Sequence, residues 1–189
     1  MGKSLLRHYR LANELTLLFD LESSMDNILV VAMCKLNQIM DSERSSVFLF
    51  DPLRQQFTSF SSQDFKNKKI SMSQSSGVAG WVFKNRIPAI INNAYIDSRV
   101  YQGADEMTGF RTRNLICTPL IDYKENCLGT LQAFDKKSGN FTADDLELLD
   151  LTARLVVFSI NNSRTDATAK YKPQIRRMSM KMRHCGKEI

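Results

Sequence analysis

Two long apolar segments joined by a short polar turn constrain the fold of this chain most strongly. The segments are Asn114–Ile121 (NLICTPLI) and Cys127–Asp135 (CLGTLQAFD), and the residues between them read DYKEN. Apolar runs of this length, bounded by turn residues, are typical of strands buried in the middle of a sheet. The sequence therefore predicts two neighbouring central strands.

Helical patterns lie on both sides of these strands. Apolar residues at three- and four-residue steps predict one helix over Ser4–Asp20 and a second helix from about Met25. The stripe of the first helix consists of Leu5, Tyr9, Ala12, Leu15 and Leu18. Thr142 and Asp145 have the spacing of a capping box and predict the start of a final helix.

A period of two predicts additional strands between the second helix and the central pair. These strands are Ser45–Asp51, Gln55–Phe60, Lys69–Met72 and Ala89–Asn92, with a short helix from Val78 to about Asn85 before the last of them. The order of helices, strands, loop, strands and helix predicts an α+β fold with an antiparallel sheet.

The composition indicates one packed domain followed by a basic tail. The chain has 189 residues, of which 43% are apolar, which suffices for one core. Residues 1–163 carry 18 Lys and Arg against 18 Asp and Glu, whereas residues 164–189 carry 8 against 2. Because the positive excess belongs to the tail, we predict a linker there and no nucleic-acid role.

The chain lacks the patterns of several other protein classes. No apolar run reaches membrane-spanning length and the N-terminus lacks a signal-peptide pattern, so we expect a cytoplasmic protein that does not bind membranes. The four cysteines form no CxxC, and His8 and His184 lie at opposite ends of the chain. We therefore expect no metal, no cofactor and no catalytic residue.

Binding chemistry concentrates in the stretch from Asn92 to Pro119 and in the segment SSGVAGW. Tyr101, Asp105, Thr108 and Thr112 recur at three- and four-residue steps, so on a helical turn they would converge on a ribose, cyclic phosphate or purine edge. A solvated surface turn is the alternative. SSGVAGW places small residues at a helix start, which suits either a bound anion or tight helix packing.

These same stretches resemble a known family. The segments GVAGWVFKNRIPAIINNAYIDSRVY, TGFRTRNLICTPL and LGTLQAFDKKSGNFTADDLELL resemble GAF domains, most closely those of cyclic-nucleotide phosphodiesterases and adenylyl cyclases. The resemblance implies a GAF domain over residues 25–163, preceded by a linker and dimerisation helix over residues 1–24. It also implies a six-stranded antiparallel sheet with the end helices on one face and a ligand pocket on the other.

The resemblance also implies the site residues. It assigns Ser46 and Phe60, with Ser61 beside them, to a nucleotide base, and Val78 and Ala79 to its phosphate. It places Tyr101, Asp105, Thr108 and Thr112 above the ligand and Gln132 beneath it.

One family signature is only partly kept. Lys136, Phe141 and Asp145 match it, and the resemblance implies a salt bridge between Lys136 and Asp145 behind the pocket. Asp135 stands where the family has asparagine, and Leu146 where it has glutamate.

The function predicted on this basis is that of a regulatory sensor rather than an enzyme. It would bind cyclic AMP or cyclic GMP and signal to an output domain, in the same or a partner chain, through a parallel homodimer of end helices. One alternative is a ligand-free dimerisation module with Leu5, Leu15 and Leu18 as its seam. Another is a free-methionine-sulfoxide reductase that uses Cys117 and Cys127, although both lie in apolar runs where a thiol is inert.

Overall fold

A computed structural model describes residues 6–7, 9–11, 13–14, 25–61, 71–101 and 111–162, with the side chain of Ser61 excluded. Several predictions lie outside these residues. They concern the stripe residues Leu5, Ala12, Leu15 and Leu18, the site residues Asp105 and Thr108, and the tail 164–189.

The described residues form one six-stranded sheet in the order β3-β2-β1-β6-β5-β4. The strands are β1 (Ser42–Asp51), β2 (Gln56–Ser61), β3 (Ser71–Ser73), β4 (Ala89–Ile91), β5 (Leu115–Ile121) and β6 (Cys127–Lys136). All neighbouring strands pair antiparallel. The predicted α+β fold is confirmed, and β5 and β6 are interior strands as their apolar runs indicated.

Strand β1 begins earlier than its sequence pattern predicted. The predicted start was Ser45, but Ser42 already pairs with Lys136 of β6. Charged and polar residues at the start of β1 obscured the alternation. The three additional residues matter because they include Arg44, whose side chain lies at the candidate site.

One face of the sheet, here called the helix face, packs against two long helices and holds the larger core. Helix α2 (Met25–Met40) and helix α4 (residues 143–162) lie on this face. Val47, Ile116 and Leu131 face them from neighbouring strands and are fully buried. Buried residues recur along both helices at helical spacing, which confirms the second and the final helix predicted from the sequence.

The described residues of the N-terminal helix α1 (6–7, 9–11 and 13–14) also contact the helix face. Leu11 is fully buried in the larger core, and Arg7 donates to the carbonyl of Ile39 at 2.8 Å. Tyr9 was predicted to lie on the buried stripe, but 66% of it is exposed. The docking face of α1 therefore passes through Arg7 and Leu11, which are one helical turn apart.

The opposite face of the sheet, here called the α3 face, carries a smaller core. Helix α3 (Gly77–Asn85) covers it through Val78 and Val82, which pack against Leu115 and Cys117 of β5. Because side chains alternate along a strand, the strand register assigns Ser46, Cys117 and Gln132 to this face and their chain neighbours to the helix face.

Helix α4 begins with the predicted capping box. The Asp145 amide donates to Thr142 Oγ1 at 3.3 Å, and the Thr142 amide donates to Asp145 Oδ2 at 3.0 Å. Each side chain thus satisfies an amide that the helix itself leaves unpaired. In the described part of the chain, no helix is long and apolar enough to cross a membrane.

Candidate functional site

The centre of the α3 face is polar. Ser46 on β1 lies directly opposite Gln132 on β6, and Gln132 lies opposite Cys117 on β5. Gln132 is only 4% exposed. Thr130, two residues earlier on β6, is fully buried, and its hydroxyl has no nitrogen or oxygen partner among the described residues. The structure therefore brings together two of the predicted site residues, Ser46 and Gln132.

An aromatic cluster borders this polar centre. The rings of Phe48 and Phe50 on β1 each lie 6.1 Å from the ring of Phe57 on β2, and Phe83 of α3 lies 5.2 Å from Phe57. Phe48 stands two residues after Ser46 and opposite Thr130, so it shares their face. Phe134, two residues after Gln132 and opposite Arg44, is equally near Ser46 in register on the same face.

The placement predicted for Phe60 is wrong. Phe60 lies opposite Val47 and packs against the larger core, on the face of the sheet away from Ser46. Strand alternation explains the difference, because Phe60 and Ser46 cannot share a face when Phe60 pairs with the residue next to Ser46. The backbone of Ser61 pairs with Ser46.

The start of α3 lies on the same face as the polar centre. Val78 and Ala79 are each 4% exposed, and the N-cap residue Ser76 makes no side-chain capping bond. Gly80 allows a close approach, since a Cβ there would lie 2.5 Å from the backbone of Ser75. The first amides of a helix point along its axis and can attract an anion, whereas the close approach at Gly80 fits tight packing, so both interpretations of this segment stay open.

Tyr101 lies beside the first turn of α3. A Cβ added to Gly77, whose φ of +63° favours glycine, would lie 3.4 Å from Tyr101 Cβ. About half of the Tyr101 side chain is exposed. Two residues earlier, Arg99 stacks on the Trp81 ring at 4.7 Å and binds Asp97 at 2.7 Å. These contacts attach residues 97–101 to α3.

Thr112 is buried just before β5, and its hydroxyl accepts a hydrogen bond from the protein itself. Arg44 donates from its guanidinium to Thr112 Oγ1 at 2.8 Å and to Asp135 Oδ2 at 3.3 Å, and it stacks on the Phe134 ring at 4.8 Å. Sequence reasoning missed Arg44, although its position two residues before Ser46 indicates the same strand face. The ligand role of Thr112 stays a prediction, whereas its bond to Arg44 is a structural one.

The predicted salt bridge behind the site is present. Lys136 Nζ lies 2.6 Å from Asp145 Oδ2, and Arg7 of α1 binds the other carboxylate oxygen at 3.2 Å. Burial alone would raise the pKa of Asp145, but its bonds with Lys136 and Thr142 outweigh burial and hold that pKa below its usual range. The carboxylate is thus charged at neutral pH.

The described thiols are protonated at neutral pH. Burial raises the pKa of Cys117 to about 12, against a smaller opposing effect of Gln132 and Thr130. Burial also raises the pKa of Cys127. Within the described residues, no group of three His, Cys, Asp or Glu side chains is arranged to hold a metal ion.

Comparison with known proteins identifies the family. The sequence model of the GAF domain matches residues 24–160, which is more than half of the chain. The chain belongs to the GAF family. This agrees with the sheet order, the two long helices on one face and the short α3 on the other.

Curated relatives of this GAF domain include cyclic phosphodiesterases. The probable 3',5'-cyclic phosphodiesterase pde-5 of Caenorhabditis elegans is 27% identical over 85% of the chain and 23% of its own length. The dual 3',5'-cyclic-AMP and -GMP phosphodiesterase 11A of Takifugu rubripes is 24% identical over 70% of the chain and 16% of its own length. The chain thus spans less than a quarter of either relative.

Solved structures share the fold at low identity. The GAF domain of a phosphoenolpyruvate-protein phosphotransferase from Coxiella burnetii has a TM-score of 0.74 and 14% identity, covering 86% of this chain and 98% of that one. Free methionine-R-sulfoxide reductase from Neisseria meningitidis has a TM-score of 0.72 and 14% identity, covering 87% and 93%. At this identity the likeness concerns the fold alone.

Proposed function

We propose that this GAF domain is a regulatory sensor that binds a cyclic nucleotide, cyclic AMP or cyclic GMP, on the α3 face. The observation that carries the proposal is the pairing of Ser46 with Gln132 at the centre of that face. A hydroxyl and a carboxamide side by side supply the donors and acceptors that a purine edge requires. The relatives' names, which specify cyclic-nucleotide substrates, support the same ligand class.

The ligand is placed in this proposal with its base over Ser46 and Gln132 and its phosphate at the first turn of α3, near Val78 and Ala79. Tyr101, beside that turn, contributes from the rim, and Asp105 and Thr108 are proposed to contribute from above. Phe48 replaces Phe60 as the aromatic partner of the base, because it shares a face with Ser46.

Two contacts offer a route from the ligand side to the end helices. The carboxamide of Asn92, just after β4, accepts from the Phe141 amide at 2.9 Å and donates to its carbonyl at 3.2 Å, immediately before the cap of α4. Thr118 of β5 donates to Asp150 of α4. We propose that binding shifts α4 through these contacts and thereby signals to an output domain in the same or a partner chain.

Calorimetry on nucleotide-free protein tests the binding step. The protein is unfolded, freed of small molecules, refolded and titrated with cyclic AMP, with cyclic GMP and with 5'-AMP as a control that lacks the cyclic phosphate. We expect a saturable heat for at least one cyclic nucleotide and none for 5'-AMP. The absence of heat for both cyclic nucleotides at high micromolar concentration would refute the proposal.

A ligand-free dimerisation module is the second candidate, favoured by exposed apolar side chains on the end helices. Leu6 and Tyr9 of α1 and Phe158 of α4 are each at least 60% exposed. Exposed apolar groups on two helices suit the parallel homodimer that we propose in either case. Mass spectrometry of the small molecules released on denaturation distinguishes the candidates, because a sensor purified with its ligand would release a nucleotide.

Reduction of free methionine sulfoxide is the least favoured function. Such chemistry requires a thiolate, whereas burial holds the pKa of both Cys117 and Cys127 above the usual range. We therefore expect no turnover of the free sulfoxide with a thiol reductant, and measurable turnover would contradict this assignment.

A further inference from the structure

A buried ion pair between Arg44 and Asp135 holds the residues just before β5. Side-chain exposure is 12% for Arg44 and 4% for Asp135, so the pair formed by Arg44 Nη2 and Asp135 Oδ2 is largely removed from water. A charge at such a depth is tolerated when an opposite charge faces it. Arg113 Nε also lies 3.7 Å from Asp135, and Arg113 binds Glu43 at 2.5 Å, so the four charges balance.

The same carboxylate fixes the backbone at this point. Asp135 Oδ1 accepts from the Arg113 amide at 2.7 Å, while Arg44 holds the Thr112 hydroxyl next to it. The Arg113 carbonyl in turn accepts from the Ala94 amide at 2.8 Å. The bond between Ala94 and Arg113 joins the segment that follows β4 to the segment that precedes β5. Ala94, Thr112 and Arg113 are here called the stem.

The residue type at position 135 indicates whether its charge or its backbone conformation is important for this contact. Its φ is +56°, a conformation that asparagine and aspartate both tolerate, so the backbone does not explain why aspartate replaces the family's asparagine. The charge does explain it, since a carboxylate balances the buried guanidinium of Arg44 and an amide does not.

We propose that Arg44 is a positioning residue for the ligand site and that Asp135 holds it in place. Arg44 lies on the same strand and face as Ser46 and connects the proposed base contact to the stem, from which the chain passes toward Tyr101 on one side. The role of Arg44 in holding the stem does not depend on the proposed function. Only its effect on ligand binding rests on that function.

Hydrogen–deuterium exchange on nucleotide-free protein tests the anchor without any ligand. Asp135→Asn keeps an acceptor for the Arg113 amide but removes the charge opposite Arg44. We expect the amides of Ala94 and Arg113 to exchange about tenfold faster, since bonds to charged groups are worth somewhat more than neutral ones. Asp122→Asn is the matched control, because Asp122 accepts from two backbone amides in the turn at the other end of β5. Equal stem exchange in Asp135→Asn and wild type would overturn the proposal.

Substitutions at Thr112 test the role of Arg44 if Asp135→Asn fails to fold. Thr112→Val removes the acceptor at nearly constant volume, whereas Thr112→Ser retains it. The proposal requires faster stem exchange in the valine variant and exchange closer to wild type in the serine variant. Equal exchange in both variants would overturn it, because packing alone would then account for residue 112.

Ligand dissociation separates a positioning role from a purely structural one. Arg44→Lys keeps the charge but loses the planar fork that reaches Thr112 and Asp135 together. We expect cyclic nucleotide to dissociate about tenfold faster from Arg44→Lys, with association little changed. An unchanged dissociation rate in a variant with faster stem exchange would overturn the positioning role. If wild-type protein binds no cyclic nucleotide, the proposed function fails while the exchange results still decide the anchor.

Discussion

The two faces of the sheet use adjacent residues of the same strands for different purposes. On the helix face, Val47, Leu131 and Ile116 are fully buried among the apolar side chains of α2 and α4. On the α3 face, their neighbours Ser46, Gln132 and Cys117 form a polar row. At these positions the helix face presents fully buried apolar side chains, whereas the α3 face presents the partly exposed Ser46 beside the buried Gln132 and Cys117.

The α3 face carries side chains whose burial is less favourable for the free energy of folding. Burying polar groups such as Gln132 and the Thr130 hydroxyl is less favourable than burying leucine unless bonds compensate. The α3 face is therefore the face to examine for ligand binding, and the following substitutions test the contrast in order of decreasing effect.

Leu131→Ala tests the helix face and has the largest expected effect. Leu131 is fully buried between the sheet and the long helices, so its truncation leaves a cavity. We expect the free energy of unfolding to fall by about 3 kcal/mol. Urea unfolding followed by circular dichroism measures the change, and nucleotide affinity of the folded fraction should be unaltered. A loss of less than about 1 kcal/mol would mean that this face is not the main core.

Asp145→Asn tests the ion pairs that Asp145, at the start of α4, forms with Lys136 of β6 and Arg7 of α1. The neutral side chain weakens the bonds with Lys136 and Arg7, and we expect a loss of about 2 kcal/mol at pH 7. The folded pKa of Asp145 is depressed, so its contribution is complete above the ordinary carboxyl pKa of about 3.9 and is lost as pH falls further. The difference between wild type and variant, measured by denaturation from pH 7 to 3, should therefore shrink below about pH 4. A difference independent of pH would contradict the ionic origin.

Gln132→Met tests the α3 face at the residue next to Leu131. Methionine has a similar volume and no hydrogen-bonding group, so the free energy of unfolding should change by less than about 1.5 kcal/mol. Cyclic-nucleotide affinity should fall about tenfold through the lost carboxamide, as measured by calorimetry. Unchanged affinity would show that Gln132 is not a ligand contact.

Phe48→Leu and Phe60→Leu form the smallest and most specific comparison. Both residues lie near Ser46 in the sheet, since Phe48 is two residues further along β1 and Phe60 pairs with Val47, but only Phe48 shares its face. We expect Phe48→Leu to weaken cyclic-nucleotide binding about fivefold through lost ring stacking, and Phe60→Leu to lower stability slightly without affecting binding. Paired titrations and urea curves measure both effects. Weaker binding in Phe60→Leu with unchanged binding in Phe48→Leu would show that Phe60, and not Phe48, stacks on the base.

Sequence patterns predicted the fold better than the site. The apolar runs of β5 and β6 and the capping box of Thr142 and Asp145 are local signals, and the structure confirms them. Strand register is not local, because it depends on which residues of two strands pair. The base contact that the family resemblance implied for Phe60 could therefore not be checked from the sequence, and the register places Phe60 on the helix face.

The ion pair of Arg44 and Asp135 could not be predicted for a similar reason. The two residues are separated by 91 positions and meet only because Arg44 and Phe134 lie opposite each other in the sheet. The replacement of asparagine by Asp135 was visible in the sequence as a departure from the family signature. Its partner was not visible, since a single arginine in a strand has no pattern of its own.

The packing of α1 against the domain limits how far the N-terminus can be shortened without loss of core contacts. The family match begins at residue 24, yet Leu11 is fully buried and Arg7 binds both Ile39 and Asp145. A protein trimmed to the match would expose the surface that Leu11 covers and leave the first turn of α4 without one of its two cations. The packed domain therefore includes residues that precede the segment matched by the family model.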